Sequence, residues 1–242
     1  MAGVEKVFDR YRTAGTAGTT LDAAWESYAR YEALGWLPED KAARILDIGC
    51  GAGEFLEFLA SRGYANAEGV DYSREQIAWC QQKGLHRTRL IDDARGHLGA
   101  LPDASMPCFV MNHVLEHVPK GEIIALLELL RSKLTVGGGL VIQVPNMANL
   151  YGLAARYLDF THEVGFTEHS LKQVLITAGF EESSIHVAPL PVAMKFTPKR
   201  LAYWSMNRAL LALHRAAFVA AVGADAPTIF TKSVAVRAVR TS

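Results

Sequence analysis

Net charge is the first thing this chain lacks: 25 Lys and Arg balance 25 Asp and Glu over 242 residues. No global positive field gathers phosphates, so DNA or RNA is excluded as the expected partner. Cysteine is scarce as well, and Cys50, Cys80 and Cys108 have neither paired nor metal-ligand spacing. A reducing compartment is implied, and a cytoplasmic location is expected. The opening Met1-Ala-Gly-Val-Glu-Lys-Val has no apolar signal core. No stretch approaches the roughly 18 uncharged apolar residues of a membrane span. The sequence has no internal repeat and no low-complexity tail.

What is present is apolar material, half of all residues, enough for one sizeable core and one domain over 1–242. Strand-like runs recur near 44–48, 66–70, 87–91, 108–112, 139–144, 184–188 and 228–238. Helical patterns fall between them near 54–62, 73–83, 120–134, 149–158 and 170–178. Such alternation predicts a parallel sheet covered by helices, with the ligand at the carboxyl ends of the strands. Gly179 suits the left-handed residue that ends a helix. Residues 1–40 read as an N-terminal helical cap and 189–227 as a helical insertion before the last strand.

The most informative segment is Arg44-Ile-Leu-Asp-Ile-Gly-Cys-Gly-Ala-Gly53, followed by Asp71 at the end of the second apolar run. Gly49, Gly51 and Gly53 remove Cβ atoms where a backbone turns tightly beside a ligand, and an acid at the next strand end accepts ribose hydroxyls. A nucleoside-bearing cofactor is expected. The nicotinamide spacing G-x-G-x-x-G fails, because Glu54 or Leu56 falls where the third small residue belongs. Asp47-x-Gly-x-Gly-x-Gly instead resembles motif I of class I S-adenosylmethionine-dependent methyltransferases. Val136-Gly-Gly-Gly-Leu-Val-Ile-Gln-Val-Pro-Asn146 resembles the fifth strand of that family with its preceding turn. Asn112-His-Val-Leu-Glu-His-Val-Pro119 resembles the segment after its fourth strand.

The resemblance implies a Rossmann-like seven-stranded α/β sheet whose last strand is antiparallel, with helices on both faces. It implies S-adenosyl-L-methionine as cofactor, held by Asp47, Gly49, Gly51, Gly53, Asp71, Tyr72, Asp93, Ala94 and Asn112. Tyr72 is expected against the adenine face and Asp93 at the adenine amino group, with Asp92 as the alternative. The usual Phe-Asp opening of the fourth strand is replaced by Met106-Pro107, and a proline there predicts a changed start to that strand.

His113-Val-Leu-Glu116-His117 is expected on a helix that directs three polar groups into a cleft. The same residues also resemble the Glu-x-x-Glu-His segment of metal-dependent ubiquinone-pathway methyltransferases. A divalent metal at His113, Glu116 and His117 is therefore the lesser alternative. Asp159-Phe-Thr-His162-Glu163 resembles a segment of methyltransferases acting on sugars. His162 is the expected base, because neutral imidazole accepts a proton near pH 7, with His113 and His117 in reserve.

These readings predict methyl transfer to a hydroxyl of a sugar or glycan intermediate. A quinone-like or phenolic acceptor and a non-catalytic cofactor-binding scaffold are the rivals. Within the insertion, 201–222 reads as one helix with a narrow polar stripe of Ser205, Arg208, Ala212 and Arg215. It is expected to pack over the acceptor cleft or against a second subunit as a homodimer contact, with peripheral membrane contact the lesser alternative.

Overall fold

A computed structural model describes residues 21–190 and 197–242. Helix α1 (Leu21–Ala33) precedes β1 (Ile45–Ile48), α2 (Glu54–Ser61), β2 (Ala67–Asp71), α3 (Arg74–Gln82) and β3 (Thr88–Leu90). Next come α4 (Ala94–Gly99), β4 (Met106–Asn112), α5 (Ile123–Lys133) and β5 (Leu134–Pro145). The chain continues through α6 (Gly152–Leu158), α7 (Glu168–Thr177), β6 (Ile185–Leu190), α8 (Pro198–Val222) and β7 (Ser233–Val239). The seven strands form one sheet in the order β3-β2-β1-β4-β5-β7-β6, and β7 alone runs opposite to the other six.

Strand alternation builds the two faces. Leu46 and Ile48, Phe109 and Met111, and Leu140, Ile142 and Val144 point to the layer that holds Leu127 and Leu130 of α5 and Leu171 and Leu175 of α7. Ile45, Cys108, Val110 and Val141 point the other way, to Tyr28 and Tyr31 of α1 and to Phe55, Phe58 and Leu59 of α2. By the same alternation Asp47, Asn112 and Gln143 fall on the α1 face. Three polar residues thus project at the carboxyl ends of adjacent central strands, where α1 covers them.

Several expectations need correction. His113 has φ +57° and stands outside any helix, and only a single turn, Leu115–His117, follows it. The predicted 113–117 helix is therefore absent: His113 stays on Glu116, and His117 joins Glu116 in a cluster that lacks His113. The last strand begins at Ser233 rather than 228, because Thr228 and Ile229 give their backbone amides to the Glu168 carboxylate (2.7 and 2.9 Å). Helix α6 begins at Gly152 rather than 149, since the Asn149 side chain is tied to Phe230 O (2.6 Å). The altered start of the fourth strand is present: the β4–β5 register shifts between Met106 and Cys108, around Pro107.

Helix α8 contains the predicted 201–222 segment but does not bury it against its own body. Among its residues from Leu201 onward only Leu211, His214 and Phe218 are half-buried. The expectation of a helix packed over the cleft is not met.

Candidate active site

The turn after β1 takes its shape from glycine. Gly49, Gly51 and Gly53 have φ of +71°, +54° and +83°, the left-handed region that other residues enter only with strain. A Cβ on Gly49 would lie 2.4 Å from Val114 Cγ2, so the turn also needs the missing atom to clear the segment after β4. Asp71 ends β2 directly beside it. The Gly51 amide donates to Asp71 Oδ2 (2.9 Å) and the Ser73 amide to Oδ1 (2.8 Å). A carboxylate has about four acceptor positions, so two remain for a vicinal diol. Burial raises the Asp71 pKa, and the amide bonds oppose that rise.

Asp47 lies under the same turn and is 2% exposed. Its Oδ1 has no hydrogen-bond partner among the described residues. Burial, followed by the nearby Asp71 charge, pushes its carboxyl well above the usual carboxylate range. An orphaned acid beside a glycine cradle is the complement of a cationic amino group. The residues present therefore fit a nucleoside that carries a positively charged amino acid.

Other predicted cofactor contacts carry structural duties. The Tyr72 hydroxyl accepts the Ala94 amide (2.9 Å), which ties the end of β2 to the start of α4 and leaves the ring partly exposed. The Asp93 carboxylate caps α4, accepting from the Arg95 and Gly96 amides (3.0 and 2.7 Å). Ala94 is buried, and Asp92 is exposed alongside.

A polar chain, buried at Tyr31 and Gln143 and reaching the surface at His113, leads from α1 to the segment after β4. Tyr31 Oη lies 2.5 Å from Gln143 Oε1 and 2.9 Å from Asn112 Oδ1. The Gln143 amide lies 2.8 Å from His113 Nε2, and His113 Nδ1 lies 3.1 Å from Glu116 Oε1. Gln143 Nε2 can only donate, so this network assigns His113 the tautomer that accepts at Nε2 and donates from Nδ1 to Glu116. His113 therefore serves as a connector, with both ring nitrogens engaged.

His117 turns away from His113 toward the loop after α6. Its Nδ1 lies 2.8 Å from Thr161 Oγ1, which itself donates to Asp159 Oδ1 (2.6 Å). The His117 and His162 rings are 4.7 Å apart. One nitrogen of each and a carboxylate oxygen of the buried Glu116 lie within 4.8 Å of one another. The set with metal-ligand spacing is thus Glu116, His117 and His162, not the predicted set containing His113. Burial holds His117 below the usual histidine range, so it is neutral at pH 7. His162 Nδ1 lies 3.0 Å from the Ala155 carbonyl, to which it must donate, so its lone pair resides on Nε2.

The loop is fastened on both sides. The Glu163 and Val164 amides donate to the Glu116 carbonyl (2.8 and 3.1 Å), and the Arg156 guanidinium donates to the His162 and Glu163 carbonyls. Tyr31, Gln143 and Thr161 escaped the sequence reading as site residues. The available signal was Gln143, a lone amide inside the apolar run Leu140–Val144.

A parallel sheet with an antiparallel β7, a glycine turn after β1, an acid ending β2 and a polar cluster beyond β4 define a class I S-adenosylmethionine-dependent methyltransferase. The family model described as a methyltransferase domain matches residues 24–184, and the chain belongs to that family. The chain is 34% identical over 117 residues to trans-aconitate 2-methyltransferase of Variovorax paradoxus (strain S110), a match covering 48% of this chain and 43% of that protein. The aligned segment thus spans less than half the length of that curated relative. Among solved structures it is similar to a SAM dependent methyltransferase from Archaeoglobus fulgidus, with 27% identity, TM-score 0.63, and 88% and 92% of the two chains covered. An S-adenosylmethionine dependent methyltransferase from Mesorhizobium loti shares the fold at 20% identity and TM-score 0.60, with 91% of this chain and all of that one covered.

Proposed function

We propose that the acceptor is a hydroxyl oxygen of a small molecule, with a sugar or glycan intermediate as the first candidate, and that His162 takes its proton. The observation that carries this reading is the tautomer of His162, whose Nδ1–H is held by the Ala155 carbonyl so that Nε2 keeps its lone pair, on a ring 4.7 Å from that of His117. S-Adenosylmethionine supplies an electrophilic sulfonium methyl when bound. The chain then needs to align an oxygen with that methyl, and alignment is worth up to about 7–11 kcal/mol in well-oriented systems. Removing the hydroxyl proton adds about 10²–10⁴-fold.

The curated relatives support a different acceptor, because they are named for trans-aconitate, whose carboxylates need no base. Charge favours the hydroxyl: Glu116 and Asp159 are buried acids at this cluster, and the Arg156 guanidinium is already committed to backbone carbonyls. A polyanionic acceptor would meet repulsion there.

Product S-adenosylhomocysteine should be followed with sugars, phenols and trans-aconitate as acceptors. A hydroxyl acceptor should turn over, and His162→Ala should lower turnover about 10²–10⁴-fold with cofactor affinity unchanged. Turnover of trans-aconitate alone, retained in His162→Ala, would establish the carboxylate reading instead.

A further inference from the structure

Helix α8 is the element that this fold uses least for its own core. His214 Nε2 lies 3.0 Å from the Ala148 carbonyl, and His214 and Phe218 meet the Phe230 ring edge-on. On another side, Tyr203, Met206, Leu210 and Leu213 recur at a spacing of three, four and three residues, and all are exposed, Leu213 at 68%. That spacing places them in one line along the helix. Leu201, Trp204, Val219 and Val222 are exposed too. The hydrogen bond to Ala148 docks α8 at the segment leading into α6, where Leu153, Tyr157, Leu158 and Phe160 are also exposed, Phe160 at 85%. Apolar surface on this scale marks a contact.

Charge selects the partner. From Pro189 to Ala224 the sequence carries Lys195, Lys199, Arg200, Arg208 and Arg215 and not one acid, although the whole chain is neutral. Arg208 and Arg215, seven residues apart, lie on the side of α8 opposite the Tyr203-to-Leu213 line, so one helix presents an apolar line and a cationic face with no acid in the segment to neutralise it. Lipid phosphates answer that face directly. The Arg208 guanidinium also sits 4.7 Å from the Trp204 ring centroid, so a cation and an amphipathic ring are presented together, as suits the boundary between headgroups and acyl chains.

No helix of the described residues is long and apolar enough to cross a membrane. We propose that α8 lies along the surface of an anionic bilayer, with Tyr203, Met206, Leu210 and Leu213 in the acyl boundary and Arg208 and Arg215 at the phosphates. This inference is independent of the acceptor reading.

The test is co-sedimentation of the full chain with phosphatidylglycerol/phosphatidylcholine vesicles and with pure phosphatidylcholine vesicles, at low and high salt. Pelleting is expected with the anionic vesicles only and should weaken as salt rises. Leu213→Glu should reduce it at least tenfold, as should Arg208→Glu combined with Arg215→Glu, with S-adenosylmethionine affinity unchanged in both variants. Absence of pelleting overturns the proposal, as does equal binding to neutral vesicles. Sedimentation velocity showing a dimer that Leu213→Glu dissociates would assign the surface to a second copy and overturn it equally.

Discussion

We propose that Asp47 couples cofactor binding to pH. Its carboxyl is pushed well above the usual range by burial and by Asp71, so the apo protein holds a proton there through pH values at which an exposed aspartate has lost its own. In the unliganded fold the sign is unfavourable: stability is fullest below the unfolded pKa and declines as pH rises through it toward the raised folded pKa. A cationic amino group against Oδ1 reverses this by favouring the ionised form. Binding should therefore release a proton, and affinity should rise with pH until the apo pKa is passed. Titration calorimetry in buffers of differing ionisation enthalpy measures that release, and Asp47→Asn should abolish it while weakening binding. Wild-type protein showing no proton release would remove Asp47 from the cofactor contact. At this scale the sequence was most readable where backbone geometry demands a residue type, as at Gly49, Gly51 and Gly53. It was least readable where partners come from distant loops. Nothing local announces that Tyr72 accepts from Ala94, or that His113 takes a positive φ and connects Gln143 to Glu116.

At the scale of elements, periodicity located the seven strands and the longer helices but not the short α4, which is set by its Asp93 cap, and the misplaced ends lie where side chains capture the backbone. Residues 228–232 look like strand, yet Glu168 and Asn146 bind their amides and carbonyls before pairing with β6 begins. Helix α1 was legible as a helix, and its mode of attachment was not. Trp25 and Tyr28 meet Phe58 and Phe55 edge-on, while Tyr31 reaches past them to the polar residues at the ends of β4 and β5. Tyr31→Phe keeps the ring and leaves the buried Gln143 carbonyl oxygen without its donor, which should cost about 1–3 kcal/mol. Urea denaturation followed by tryptophan fluorescence should show the loss as a lower midpoint with an unchanged slope. An unchanged midpoint would mean that α1 is held by its aromatic rings alone.

For the whole molecule, strand order decides what is indispensable. The order β3-β2-β1-β4-β5-β7-β6 reverses direction of growth between β1 and β4, and ligands of open α/β sheets bind at such a point. The glycine turn follows β1, Asp71 ends β2, and His113 to His117 follow β4, so the residues proposed for the cofactor gather there without help from α8. The alternation of apolar runs contained that architecture, because buried parallel strands and their covering helices write their periods directly into sequence. The surroundings of 201–222 were not contained in it, since an apolar helix has the same pattern whether it meets protein or lipid. The β6–β7 register supplies a further consequence: Leu190 pairs with Ser233, so the segment carrying α8 is inserted between two strands that are already neighbours. Replacing 191–226 with a linker of about eight Gly and Ser residues keeps Thr228 and Ile229 on Glu168 and lets flexible chain close the gap. The shortened protein should fold, with far-ultraviolet circular dichroism showing the sheet retained. Its S-adenosylmethionine affinity should match the full chain within about threefold, a difference below about 0.7 kcal/mol. A variant that binds the cofactor normally yet no longer pellets with anionic vesicles would separate the two surfaces. One that fails to fold would show instead that α8 is a structural support of the sheet.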